Sequence, residues 1–353
     1  STQTIVNAHG PGTIVDWSSV QSLSAAFNDG CCAGTNVHAF VAAADAFIDL
    51  SSVQSVVGPA RSEDRLDFRA ADGGMLLLTS LASATGSGPT RFEASGAGSV
   101  LDLSAFGVFD RPSQLKGTSE STVLLGGLGL VGSGTAAFDD DVFGYPSVRL
   151  DGSFRNELQN EAGLKTDDLR LTMTAHYGLF EVASTDIGPA QPSPITFELG
   201  ELTFEPGEPE AYGLADAVIV FVDNFDNGNR PDIDTPEAVY VTGHDGFNAI
   251  QALHGGTLVL NGLNVYAYDD GAWRNLQAGL PPLGKVPFKD GYLANRLDET
   301  IGDVNGSRCV DGQDLGLLLG AWGGSNPVYD LNGDGIVDGA DLGLLLGAWG
   351  SCT

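Results

Sequence analysis

A short phrase recurs through the first part of the chain and limits what it can fold into. Residues 13–20 read TIVDWSSV, residues 46–53 AFIDLSSV and residues 99–106 SVLDLSAF. Weaker echoes are GMLLLTSL at 74–81 and STVLLGGL at 121–128. Aligned on the Asp16 column they fall at 16, 49, 77, 102 and 124, so the copies lie 33, 28, 25 and 22 residues apart. Each echo is a brief apolar run rich in strand formers, then small polar residues that admit a tight corner, then another apolar position. A strand and a corner returning at such intervals is the pattern of stacked coils. Residues 1–206 therefore read as a parallel β-solenoid-like domain. In it Val15, Trp17, Ile48, Leu50, Leu101 and Leu103 stack as buried columns, while Asp16, Asp49 and Asp102 point outward or cap turns. The uneven spacing leaves a β-sandwich of similar strands as the alternative. Within 22–48, SLSAAF and VAAADAF look helical and are read as a short cap or a loop.

Alternating strands continue at 147–150, 169–174, 195–199 and 202–204. The Pro/Glu-rich stretch FEPGEPEAYG at 204–213 marks a boundary, and residues 207–300 read as a further β-rich module. Its run AVIVFV has the pattern of a buried strand. The loop DNFDNGNRPDID that follows gathers Asp223, Asp226, Asp232 and Asp234 with three Asn. It is either a solvated Asx-rich turn or a calcium loop, and its spacing matches no strict template. GTLVLNGLNVYAY at 256–268 sets apolar runs around an Asn-Gly dipeptide, which predicts strand, tight turn, strand. With PEAVYV before it, the segment at about 215–275 resembles a β-rich module of exported proteins from environmental bacteria. That resemblance implies export and β structure and carries no assigned chemistry.

Charge narrows the partners. Asp and Glu number 46 against 16 Lys and Arg, a formal net charge of -30. Nucleic acid and anionic membrane surfaces are excluded as partners on this ground, because phosphate neutralisation needs basic patches. No stretch approaches the roughly 18 apolar residues of a membrane span, so no membrane insertion is expected. An excess of carboxylate suits hard divalent cations. The chain opens on Ser1 with no apolar leader, which reads as a processed N-terminus of a secreted or cell-surface protein. Of the four cysteines, Cys31 and Cys32 are adjacent, Cys309 lies in the first of two C-terminal repeats and Cys352 is the penultimate residue. The simplest pairing is Cys309–Cys352, as expected in an oxidising compartment.

The C-terminal end says the same sentence twice. Residues 303–323 read DVNGSRCVDGQDLGLLLGAWG and residues 330–350 read DLNGDGIVDGADLGLLLGAWG. In the second copy Asp330, Asn332, Asp334, Asp338 and Asp341 take positions 1, 3, 5, 9 and 12 of a calcium loop. Gly335 supplies the sharp turn at position 6, and Ile336 offers its backbone carbonyl at position 7. The helix after it carries Leu342, Leu345, Leu346 and Trp349 as an apolar stripe. The first copy keeps Asp303, Asn305, Asp311 and Asp314 at positions 1, 3, 9 and 12, with Leu315, Leu318, Leu319 and Trp322 as its stripe. It has the neutral Ser307 at position 5, Arg308 where the turn wants Gly, and Cys309 supplying a carbonyl at position 7. Two such loops, each followed by one helix and closed by Asp, resemble the type I dockerin family over residues 301–353. The resemblance implies a small two-helix module that folds around Ca2+ and plugs into a cohesin, a β-sandwich receptor. Family contacts at loop positions 10 and 11 would fall on Gly312, Gln313, Gly339 and Ala340. These are not the hydroxyl-bearing pair usual in that family, which argues against the usual cohesin contact, and the loss of Asp and Gly in the first loop argues for a fixed structural connector over a receptor-seeking plug.

No catalytic signature is present: there is no GxSxG, HExxH, P-loop or GxGxxG opening a helix, and the five histidines are scattered. Paired carboxylates at Asp139, Asp140 and Asp141, or at Asp167 and Asp168, are the one enzyme-like arrangement, and acid clusters arise by chance in so acidic a chain. The chain is therefore expected to be mainly β, not an enzyme, and a calcium-stabilised extracellular assembly protein. Its partner would be itself, as a homopolymer, or a cohesin-like β-sandwich. The N-terminal STQTIVN would act as a donor strand. The alternatives are a carbohydrate-active enzyme on a β-helix scaffold and a non-catalytic glycan-binding protein.

Overall fold

The computed structural model describes the chain apart from residues 1, 26–34, 110–112, 133–134, 140–144, 159–164, 191–196, 207–216, 229, 231–235, 244–247, 282–284, 297–301, 306–308, 327, 333–334 and 352–353. It is mainly β, with two short helices near the C-terminus. The chain forms two compact units, Ser1–Ser153 with Asn160–Thr172, and Phe154–Gln159 with Met173–Thr353. The boundaries expected at 206/207 and 300/301 both fall inside the second unit.

Parallel ladders organise the first unit. One joins Thr2–His9, Val37–Ala43, Arg65–Ala71, Thr90–Ser95, Ser113–Thr118 and Thr135–Asp139. A second joins Ile14–Asp16, Phe47–Asp49, Met75–Leu77, Val100–Leu103, Thr122–Leu125 and Ser147–Leu150. A third joins Ser22–Ser24, Ser55–Val57 and Ser83–Thr85. Within these three ladders each strand pairs with the one three places along the chain, so the early coils contribute three strands each. This is the expected parallel β-solenoid; the sandwich alternative would need antiparallel strands.

The register follows the repeat residue for residue. Asp16 lies beside Asp49, Asp49 beside Leu77, Leu77 beside Asp102 and Asp102 beside Leu124. One place earlier, Ile48, Leu76, Leu101, Val123 and Val148 form a buried column. The aspartates do cap turns: Asp16, Asp49 and Asp102 accept the backbone N–H of Ser18, Ser51 and Ser104 at 2.9–3.0 Å. On the first ladder Phe40, Phe68 and Phe92 stack at 5.1 and 5.6 Å between ring centres, a geometry favourable beyond the area it buries. Two expectations need correcting at the first coil. Val15 is only half-buried and Trp17 is 36% exposed, because among the described residues no coil lies outside theirs.

The corner after the first ladder corrects the cap or loop expected of the helical-looking VAAADAF. VAAADAF runs along the strand Val37–Ala43 and turns at Ala44 and Asp45, whose φ angles are 53° and 62°. Its alanines look helical, yet they pack against the next coil, where Ala42 faces Ala70 and Ala43 faces Ala71. In the following coil the same corner needs glycine. A Cβ on Gly74 would sit 2.1 Å from the carbonyl oxygen of Ala42.

The second unit stacks in the same manner. Phe154–Leu158, Tyr177–Glu181, Val218–Val222, Thr257–Val259 and Gly291–Ala294 follow one another in a parallel ladder, and Lys285–Phe288 closes it antiparallel. A second ladder joins Glu198–Leu199, Val239–Val241 and Val265–Asp269, closed antiparallel by Ala272–Asn275. Phe154, Phe180 and Phe221 stack in its interior at 4.8 and 5.0 Å. Every residue of Val218–Val222 is buried, as the unbroken apolar run predicts. The Asn-Gly signal gives strand, tight turn, strand as expected, although the two strands do not pair. Thr257–Val259 and Val265–Asp269 belong to different ladders, so Asn261 and Gly262, both at positive φ, make a solenoid corner and no hairpin. The tight hairpin turn is Asp270–Gly271, where both residues also have positive φ as that turn type requires.

Candidate metal centre

The two tail helices are α1, Gly312–Gly320, and α2, Gly339–Gly347. Each begins with a capping box built from loop positions 9 and 12. Asp311 caps α1 and Asp314 returns to its backbone N–H; Asp338 and Asp341 do the same for α2. Carboxylates placed for a cation at the end of a loop thus also satisfy the free N–H groups that begin a helix.

The second loop folds around its first and last acids. The Asp330 carboxylate accepts the Gly335 N–H at 2.7 Å, and Gly335 takes φ 91°. Asp341, fully buried, accepts the N–H of Asn332 at 3.0 Å and of Asp338 at 2.7 Å. Positions 1 and 12 are therefore both turned onto the backbone of the same loop. Asp338 faces the N–H of Ala340, and Ile336 is exposed. Asp334 lies outside the described residues. In the first loop Asp314 is fully buried and accepts the N–H groups of Val304, Asn305 and Asp311 at 3.0, 3.2 and 2.8 Å. Asp303 is buried too, whereas the Asn305 amide donates to Gln313, 3.3 Å away. Ser307 lies outside the described residues. Among the described residues no three His, Cys, Asp or Glu side chains are gathered as a metal site. The oxygen-only donors of the second loop suit a hard cation such as Ca2+ in kind. Asp330, Asn332, Asp338 and Asp341 are the residues that would hold it, and the ion would supply structural cross-linking there and no chemistry.

The repeats interlock through matching backbone pairs. The N–H of Val310 donates to Ser351, and that of Gly350 to Val310, both at 2.9 Å; the N–H of Gly323 donates to Val337, and that of Val337 to Gly324, both at 2.8 Å. Val310 and Val337 are buried. Cys309, beside Val310, is disulfide-bonded; Cys31, Cys32 and Cys352 lie outside the described residues. The expected apolar stripes are half right. Leu318 and Leu345 are buried, but Leu319, Trp322, Leu346 and Trp349 are 48–51% exposed. Helices of nine residues bring only one leucine each fully between them.

The acidic loop after Val218–Val222 is built on an ion pair. Asp223, buried, pairs with Arg230 and accepts the Glu237 N–H at 3.1 Å. Asp226 closes an Asx turn on the N–H of Gly228. Asp232 and Asp234 lie outside the described residues. Nearby, Glu181 accepts the N–H groups of Asn224 and Phe225 at 2.6 and 2.8 Å. Burial pushes its carboxyl up to about 8, with the Asp223 charge adding to the rise. Of the paired acids, Asp167 and Asp168 lie in a turn and Asp139 ends a strand, while Asp140 and Asp141 are outside the described residues.

Sequence reasoning missed two residues that face the second loop. Arg296 follows Gly291–Ala294 and is buried; its guanidinium donates to the carbonyls of Asp330 and Val328, both at 2.9 Å. Burial lowers it to about 10, against the pull of Asp330 and Asp341. Tyr329 is held near Asp223, Arg230 and Glu181, and burial raises its hydroxyl. A single arginine in YLANRLD carries no local signal for either contact. No family model matches the chain, and neither does any curated protein or solved structure.

Proposed function

We propose that the protein is an extracellular structural subunit, stabilised by calcium, whose copies join head to tail through their terminal segments into a filament, surface layer or matrix. The uncovered first coil carries this reading. STQTIVN is no free donor strand: Thr2–His9 pairs with Val37–Ala43 of its own chain. Its outer edge has no partner among the described residues, and an unpaired strand edge is a template for another strand. Ile5 and Ile14 are 46% and 67% exposed there, and Trp17 leaves uncovered a column whose later members Leu50 and Leu103 are fully buried. A second copy added at such an edge, in a contact that does not close, builds a filament.

The tail supplies the calcium part of the proposal, through the convergent Asp330 and Asp341 of the second loop. The disulfide at Cys309 supports an oxidising, extracellular setting. Cys352 is its proposed partner, since Val310 and Ser351 are paired through their backbones. Negative-stain microscopy of the full chain, with calcium and with a chelator, tests the whole reading. Ordered polymers are expected in calcium, with loss in chelator and in the variant I5K/I14K. Monodisperse particles under every condition would sink it. Glycan cleavage abolished by changing one acid would put an enzyme in its place, and glycan binding without turnover a lectin-like protein.

A further inference from the structure

We infer that the linker between the two tail helices is a latch onto the β-ladders of the second unit, and that Arg296 is the positioning residue that makes this latch respond to calcium at the second loop. The inference rests on the calcium reading above. The linker is buried: Asn326, Val328, Asp330 and Leu331 are each no more than 7% exposed. It is stiffened by Asn326, whose backbone carbonyl accepts the N–H groups of Tyr329 and Asp330, both at 3.1 Å, and whose side chain accepts that of Val328 at 3.0 Å.

One pair of hydrogen bonds fastens it: Arg296, two residues beyond the ladder strand Gly291–Ala294, holds the carbonyls of Val328 and Asp330 with the two arms of its guanidinium. Tyr329 lines the same cavity as Arg230, and the charges of Asp223, Arg230 and Glu181 act on its hydroxyl. Helix α1 itself does not close on this surface. A cavity of about 430 Å³, lined by Arg230, Gly316, Leu317, Trp322 and Tyr329 among others, lies between them. The hydrogen bonds that tie the tail to the ladder run through the linker.

Asp330 is the joint. Its carbonyl is held by Arg296 and its carboxylate by the Gly335 N–H at the turn of the second loop. A cation that fixes the carboxylate also fixes the carbonyl, and with it the last rung of the ladder. The guanidinium reaches the two carbonyls from two separate nitrogens fixed in one plane, whereas an ammonium would have to reach both from a single nitrogen, so Arg and Lys are not equivalent here.

The test uses the full chain, with calcium or a chelator. Far-UV circular dichroism follows melting of the β-ladders, and terbium luminescence reports occupancy of the loop. In wild type, chelation is expected to lower the β-melting midpoint by on the order of 5 °C. In R296M that calcium-dependent increment should vanish while terbium still titrates the loop. R296K, which keeps the charge and one hydrogen bond, should recover part of it. A full increment in R296M, or in R296K should R296M not fold, overturns the inference. So does a wild type that binds terbium with no shift of the β midpoint. A wild type that binds neither ion overturns the calcium reading as well, and so separates the two failures.

Discussion

Asp330 shows how much one side chain position can be asked to do. Asn at this position keeps the shape and the hydrogen bond from Gly335 but removes a charge that a divalent ion needs. D330N should weaken calcium binding at the second loop by tenfold or more, measured by calorimetry. In chelator D330N should also be destabilised, by about 1 kcal/mol or more, since Asp330 is buried and its charge offsets that of the buried Arg296. Glu181 makes a second prediction at this scale. Its folded-state carboxyl is raised from 4.5 to about 8, so the folded protein binds the proton more tightly than the unfolded chain. That contribution is complete below pH 4.5 and is lost as pH rises through about 8. The groups facing it are Asp223, Arg155 and Tyr329. E181Q should flatten the fall in chemical-denaturation stability over that window. An unchanged slope would show that the carboxyl titrates normally.

At the scale of elements, the aromatic stack and the capping boxes set stability. Phe68 is fully buried between Phe40 and Phe92. F68A should cost about 3–5 kcal/mol, read from urea unfolding, because neighbouring coils hold the cavity open. The spacing of the repeat made the coils legible, and the Asp16 column is reproduced in the register because small residues at a fixed distance from each apolar run admit only one corner. Helix and hairpin assignments were less legible. VAAADAF has alanine for helix and valine for strand, and only the parallel neighbour decides between them. The Asn-Gly at 261–262 allows positive φ in any tight turn; whether the chain turns back on its partner or around a corner depends on the strand waiting beside it.

For the whole molecule, charge opposes the proposed assembly. A formal charge of -30 repels copies of the chain over about a Debye length, near 10 Å at 0.1 M salt. Assembly at fixed calcium should therefore strengthen as sodium chloride is raised from about 10 mM to about 150 mM, as followed by light scattering. Assembly that weakens with salt would point to ion pairs between copies in place of edge pairing. The open first coil and the acidic surface pull in opposite directions, and cations shift the balance.

By itself the sequence determined the coil repeat, the columns facing inward, the calcium-loop spacing of the tail and its acidic character, because each of these is written at fixed short distances along the chain. The tertiary structure decided that no described coil covers the first one, that the linker lies buried against Arg296, and that Glu181, Asp223 and Arg230 lie together. The Arg296 and Glu181 contacts join residues tens of positions apart, and no local periodicity encodes a pairing that exists only once the coils have stacked.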